Sequence, residues 1–323
     1  MAAEDTVLAE YSQGFKLNLN LAPQQTDTRL FSVVDGDLAY EPPGEMFNLD
    51  DVQQTNPQPR QGRAGPTPDS FPSFVRRVGV FSPFEDAKWL DKVDAAREMG
   101  DPTNKVMKAM MAGRYRAIDA AIAAQAIGST YSMAANQPGS ASALTANPLP
   151  SAQIVSPSDV SFAHDAEVVP SDGSQYGMAV GKLIHAQMLL QESELEGQMH
   201  FALTSEQLAD LKRRTPATSL YYSDVKALQS GEIDEFLGIK FHRLHKSLIP
   251  YYVGHDNVSP VRQCFAWVES ALVYRSRPIE EAKIWLRYDR RGTPQAYYCF
   301  DHGAARRYDT AVVEVDCYEG APY

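Results

Sequence analysis

The chain lacks most of what marks an enzyme, an exported protein or a membrane protein. Its three cysteines, Cys264, Cys299 and Cys317, are odd in number and widely spaced, with no C-x-x-C. That pattern argues against a disulfide framework or a cysteine zinc site and leaves small buried thiols. No apolar run approaches the roughly 18–20 residues of a membrane span. Residues Met1 to Asp5 show no basic stretch ahead of an apolar core, so no secretory signal is expected there. The phosphate-cradling glycine loops, the G-x-S-x-G nucleophile turn and the H-E-x-x-H metal helix are all missing. No lysine occurs between Lys16 and Lys88. Positive charge is also short overall: 30 Lys and Arg face 41 Asp and Glu, a formal net charge of −11. Such a surface does not bind nucleic acid non-specifically across its whole area. The expectation is a soluble protein, made in a cytoplasm, with no cofactor and no metal.

What is present is an ordinary globular composition, 44% hydrophobic and 22% charged over 323 residues. That suffices for one or two compact domains with a sizeable core. Phe15, Leu17, Leu19 and Leu21 alternate with Lys16, Asn18 and Asn20, the period of a strand with one apolar face. A lone strand needs a neighbour, in the same chain or on another copy. From about Phe31 to Phe84 the sequence is rich in Pro, Gly, Gln and Asn. A turn-rich tip at 56–69, holding Arg60 and Arg63, separates two expected strands, Glu45–Gln54 and Phe74–Phe81. A long tip of this kind reads as a projecting hairpin or as a surface linker.

Asp101 to Gly128 is the clearest helix, with Asp101 as cap, Pro102 at the first helical position and Gly128 at the end. About 26 residues at 1.5 Å each make a rod of about 39 Å. Short strands are expected at Gln153–Val155 and Val160–Ala163, and an amphipathic helix at Met178–Gln191. Cys264–Val273, Ala282–Tyr288, Gln295–Phe300 and Ala311–Asp316 read as strands. Between them lies Phe201–Leu244, FALTSEQLADLKRRTPATSLYYSDVKALQSGEIDEFLGIKFHRL. In it Thr204 ends a strand and caps a helix, with Gln207 placed to close a capping box. Ser223 opens a second short helix, Gly231 suits a left-handed cap, and Gly238 leads into the alternating strand Ile239–His242.

This order of elements resembles the axial domain of tailed-phage major capsid proteins with the HK97-like fold. Phe74–Gly128 is the second segment that carries the resemblance, which spans about Phe15 to Asp316. It implies an α+β subunit with an N-terminal arm (1–30), an extended loop hairpin and its flanks (31–90), and a peripheral domain (91–172) with a spine helix at 102–127. An axial domain (173–278) and return strands of the peripheral domain (279–323) would complete it. It also implies self-assembly into hexamers and pentamers of an icosahedral head around double-stranded DNA, contacted weakly. A portal, a separate scaffolding protein and a decoration or cement protein would be partners, in a virion built in the bacterial host cytoplasm. Little or no N-terminal cleavage is expected, because arm and hairpin occupy the residues ahead of the helix. Some relatives link subunits through a lysine on the extended loop; this loop carries none.

Catalysis has little to stand on. His255-Asp256-Asn257 and Asp301-His302-Gly303 could supply an acid–base pair, but such neighbours arise by chance among seven histidines and 41 acids. His242 and His245 are three apart, which on a strand points them to opposite faces. The doublets Arg76-Arg77, Arg213-Arg214, Arg290-Arg291 and Arg306-Arg307 read either as ion-paired faces or as subunit contacts. The expected contact residues are Phe15, Leu17, Leu19, Leu21, Arg60, Arg63, Arg76 and Arg77. Three other readings remain open: an encapsulin-like compartment shell, another virion component such as a tail or decoration protein, and a hydrolase.

Overall fold

Alternating apolar and polar residues set the strands, and the computed structural model places them in three sheets around a long helix. It describes residues 24–319 apart from 41, 53, 54, 56, 58, 61–72, 90–101, 134–143, 164–169, 171–173, 217, 232, 233, 254–259 and 291. In chain order, β1 (Asp35–Asp37), β2 (Met46–Val52), β3 (Phe74–Val80) and β4 (Ser82–Trp89) precede α1 (Pro102–Ile127). Then come β5 (Thr130–Met133), β6 (Leu144–Asn147), β7 (Ile154–Val155) and α2 (Val180–Gln191). A compact α/β run follows: β8 (Met199–Leu203), α3 (Ser205–Arg214), α4 (Tyr222–Ser230), β9 (Glu235–Phe236) and β10 (Ile239–Arg243). β11 (Tyr251–Val253), β12 (Pro260–Val268), β13 (Leu272–Arg287), β14 (Thr293–Arg306) and β15 (Val312–Tyr318) complete the chain. No helix among the described residues is long and apolar enough to cross a membrane.

The 201–244 block folds as its local chemistry directs. Thr204 caps α3: its side chain accepts from Glu206 N at 3.3 Å and also from the N3 backbone, and Gln207 Oε1 accepts from Thr204 N at 3.1 Å, which closes a capping box. Gly231 ends α4 with φ +82°, a conformation that a residue with Cβ disfavours. Because α3 and α4 connect them, β8 and β10 pair in parallel, Phe201 opposite Phe241.

The seven-stranded sheet has the order β7-β15-β12-β8-β10-β9, with β11 paired to β12. Directly opposed residues share a face. One face presents Phe201, Phe241, Cys264, Ala266, Val313 and Val315, all buried. The other presents Lys240, His242, His200, Trp267, Phe265, Glu314 and Asp316. That second, polar face lies beneath residues 24–34: Trp267 donates its indole N–H to Val33 O at 3.0 Å. Asp119 on α1 in turn accepts from Gln25 and from the backbone N–H groups of Arg29 and Leu30. Burial raises the Asp119 carboxyl, and those hydrogen bonds work against the rise.

Two expectations need correction. Val160–Ala163 is a turn, not a strand: Asp159 Oδ1 accepts from Ser161 N at 2.9 Å, and Ala163 N donates to Val160 O at 3.1 Å. The Ser and Asp side chains there compete for backbone groups that a strand would need. The two strands expected at 264–273 and 282–288 are divided differently. β12 ends at Val268, and β13 runs for 16 residues straight through Pro278. Register shifts between Pro278 and Lys283 absorb the missing donor, which is where proline is tolerated in a sheet. β14 stays between β13 and β4, whereas β15 enters the seven-stranded sheet between β12 and β7.

Candidate assembly surfaces

The β2–β3 hairpin is anchored at its root and bare at its end. Phe47, Leu49 and Phe81 bury against Val273 and Ala305, with Tyr40 packed alongside. The Phe47 and Phe81 rings lie 5.3 Å apart. Toward the tip, Val52 is 61% and Phe74 72% exposed. Among the described residues, nothing of the same chain covers these large apolar side chains at the end of the ribbon.

Arg76 and Arg77 sit next to each other on β3 and therefore point to opposite faces. Arg76 forms a bidentate pair with Asp50 across the hairpin, at 2.6 and 2.9 Å, in solvent. Arg77 instead grips Asp309, at 2.8 and 2.6 Å, and so ties the hairpin to the β14–β15 turn. The same Asp309 accepts from Arg306 Nε at 2.6 Å. Arg306 is fully buried and also donates to Ala126 O, Gly128 O and Asn147 O, holding the C-terminal end of α1. Arg307 closes the set through Asp51 at 2.6 Å. Of the arginine doublets, Arg76-Arg77 and Arg306-Arg307 are thus joined by acids of their own chain. Sequence spacing does not show this junction, because its bonded members are up to 256 residues apart.

Of the other expected contact residues, Arg60 is exposed. Phe15, Leu17, Leu19, Leu21 and Arg63 lie outside the described residues. A second exposed apolar group stands at the far end of the β4–β13–β14 sheet, where Trp89, Ile284, Trp285, Leu286 and Tyr288 are each about half exposed or more. Arg287 and Arg290 lie over the Trp89 ring.

Among the described residues, the histidines and carboxylates flagged in the sequence form no open acid–base site. His302 is buried among Tyr274, Phe84 and Phe300, and its Nδ1 is 3.1 Å from Tyr274 Oη. Burial pushes its pKa down to about 4, which keeps the imidazole neutral. Asp301 is taken by Arg277 at 2.6 Å. His255 lies outside the described residues. His242 does not meet His245, which bonds Ser247; it meets His200, 42 residues earlier, with Nδ1 of His200 3.0 Å from Nε2 of His242. Trp267 stacks on that pair, and burial holds both imidazoles at about 4. No group of three metal-ligating side chains exists among the described residues. The cysteines are free, Cys264 and Cys317 buried and Cys299 half-buried.

Three sheets, a long helix packed against two of them, a hairpin with an exposed apolar end and, among the described residues, no open catalytic cluster fit a subunit of the HK97-like fold. The capsid of Ralstonia phage GP4 is similar with a TM-score of 0.70 and 13% identity, over 96% of both chains. Cyanophage Pam1 capsid matches at 0.64 and 10% identity, over 96% of this chain and 98% of that one. Mycobacterium phage Che8 matches at 0.58 and 16% identity, over 94% and 97%. No curated protein sequence matches the chain. The family model for phage capsid protein matches residues 7–319, and the chain belongs to that family. It is a major capsid protein of the tailed-phage kind, a structural protein of the virion whose copies form the head shell, and not an enzyme.

Proposed function

We propose that the copies associate as hexamers and pentamers around double-stranded DNA, with the hairpin at 46–80 and the arm at 1–30 laid over neighbouring subunits. The observation that carries this is the hairpin's division into a buried root and an apolar end that the described residues leave uncovered. In this reading 31–90 is the extended loop, 91–172 the peripheral domain, 173–278 the axial domain and 279–323 the return strands. Arg60 and Arg63 then offer guanidinium donors to acids next door, where paired geometry sets register, while Arg76 keeps its bidentate pair with Asp50 and presents the rest of its side chain at the same contact.

A separate scaffolding protein, a portal and a decoration protein complete the set of partners, and synthesis takes place in the bacterial host's cytoplasm. Residues 25–37 support retention of the N-terminal region. Gln25, Arg29 and Leu30 bind Asp119, and β1 pairs with β13, so cleavage beyond this stretch would strip donors from a buried carboxylate.

Electron microscopy of the expressed protein, alone and with neighbouring genes, tests the reading; shells or six-membered rings are expected. Val52→Asp with Phe74→Asp should leave folded subunits that do not form them. Normal particles from that double variant would refute the role given to the hairpin end.

A further inference from the structure

At the β9–β10 edge of the seven-stranded sheet, the structure opens a cleft of about 420 Å³ whose lining includes Arg29, Asp234, Lys240, His242 and Arg243. Among the described lining residues three fixed cations face one carboxylate, in a chain whose formal net charge is −11. We propose that this cleft is a binding site for a phosphate group.

The geometry supports such a ligand. Arg29 reaches across to Arg243 O, and Arg243 donates to Leu228 O and Gln229 O at the end of α4. Carbonyls hold the two guanidinium groups in place without cancelling their charge, a preorganised arrangement suited to phosphate oxygens. Lys240 is exposed and lies on the same strand face as His242. The volume falls within the range of small-ligand clefts.

His242 makes the site sensitive to pH. Its neighbours are His200 from β8, Trp267 from β12, Lys240 and Arg243 on its own strand, Asp234 beside β9, and Arg29 from the covering segment; on β9, Glu235 stands opposite Lys240 at the rim. Asp119, the acid that α1 brings to that segment, is committed to Gln25 and to backbone N–H groups. Burial first, then Lys240, disfavours a proton on His242. An anion in the cleft opposes that cost, so binding draws a proton onto the histidine pair and tightens as pH falls.

Equilibrium dialysis on the full-length protein, in the assembly state in which it is purified, provides the test. The probes are inorganic phosphate and a short double-stranded oligonucleotide, whose phosphodiester charge is constant over the pH range used. Wild type should bind, and the oligonucleotide should bind severalfold more tightly at pH 5 than at pH 7.5. Lys240→Glu should weaken binding at least tenfold, and Lys240→Gln should do so less. His242→Gln, whatever its affinity at pH 7.5, should lose the tightening between pH 7.5 and pH 5. Circular dichroism confirms that each variant is folded, and both Lys240 changes are on the surface. Phosphate binding without the oligonucleotide assigns the site to free phosphate; binding of both assigns it to a nucleic-acid backbone. Unchanged binding in Lys240→Glu, no binding by wild type, or equal competition by a dicarboxylate such as glutarate would overturn the assignment. Electron microscopy decides the shell arrangement separately, so failure of either reading leaves the other standing.

Discussion

Replacing Glu314 by Gln should stabilise the subunit above neutral pH. Glu314 and Asp316 are two residues apart on β15 and therefore share the polar face of the sheet. They are 5% and 4% exposed, with Gln263 Nε2 donating to Glu314 at 2.5 Å and Tyr252 Oη donating to Asp316 at 2.9 Å. Burial first, then the adjacent Asp316 charge, pushes Glu314 up from its ordinary 4.5 to about 7. A carboxyl whose pKa is higher folded than unfolded leaves stability intact below the unfolded value. Stability is then lost as pH rises from about 4.5 to about 7, and the whole loss is in place above that. At 1.36 kcal/mol per pH unit the interval corresponds to about 3 kcal/mol. Glutamine keeps the shape and the amide can donate to Asp316, but it never ionises. Urea unfolding of dissociated subunits from pH 4.5 to 8.5 should show the variant gaining on wild type by about 1–3 kcal/mol at the alkaline end, the low figure allowing for relaxation and water entry. Near pH 4.5 the two should coincide. Parallel curves, or a variant less stable at pH 8, would refute the argument.

Arg306→Ala should cost about 3–5 kcal/mol, because it leaves Asp309 half-paired and three carbonyls at the α1 end without their donor; urea midpoints of dissociated subunits measure it. Gly79→Ala should destabilise the hairpin root by about 1–3 kcal/mol, since its Cβ would lie 2.0 Å from Phe47 Cζ; limited proteolysis of the hairpin should accelerate. Assembly should protect 48–74 from hydrogen exchange, and equal exchange in free and assembled subunits would contradict an arm laid over a neighbour. Particles boiled in detergent and reductant should run as one band near 35.7 kDa, because no lysine lies between Lys16 and Lys88 to attack an amide; a ladder of multimers would oppose this.

Local signals were legible wherever the physics is local. Pro102 and the 26-residue extent of α1, the Thr204–Gln207 cap, the left-handed Gly231 and the two hairpin strands all follow from short-range rules on backbone and capping groups. Those rules divide 264–288 in the wrong places: β13 runs unbroken through Pro278, whose missing donor the irregular β13–β14 pairing absorbs. They fail again at Val160, where β-propensity loses to an Asp and Ser turn.

The amino-acid sequence by itself determined the long helix, the two hairpin strands, the 201–244 block and the absence of recognisable catalytic motifs, because periodicity, caps and motif spacing are written within a few residues of one another. Only the tertiary structure decided that Arg306, Arg77 and Asp309 form one junction and that His200 sits against His242. It also decided that β15 inserts between β12 and β7, and that a basic cleft opens in an acidic chain. Each of these joins groups far apart along the chain. Their pairing depends on sheet order and register, which no local pattern of residues encodes.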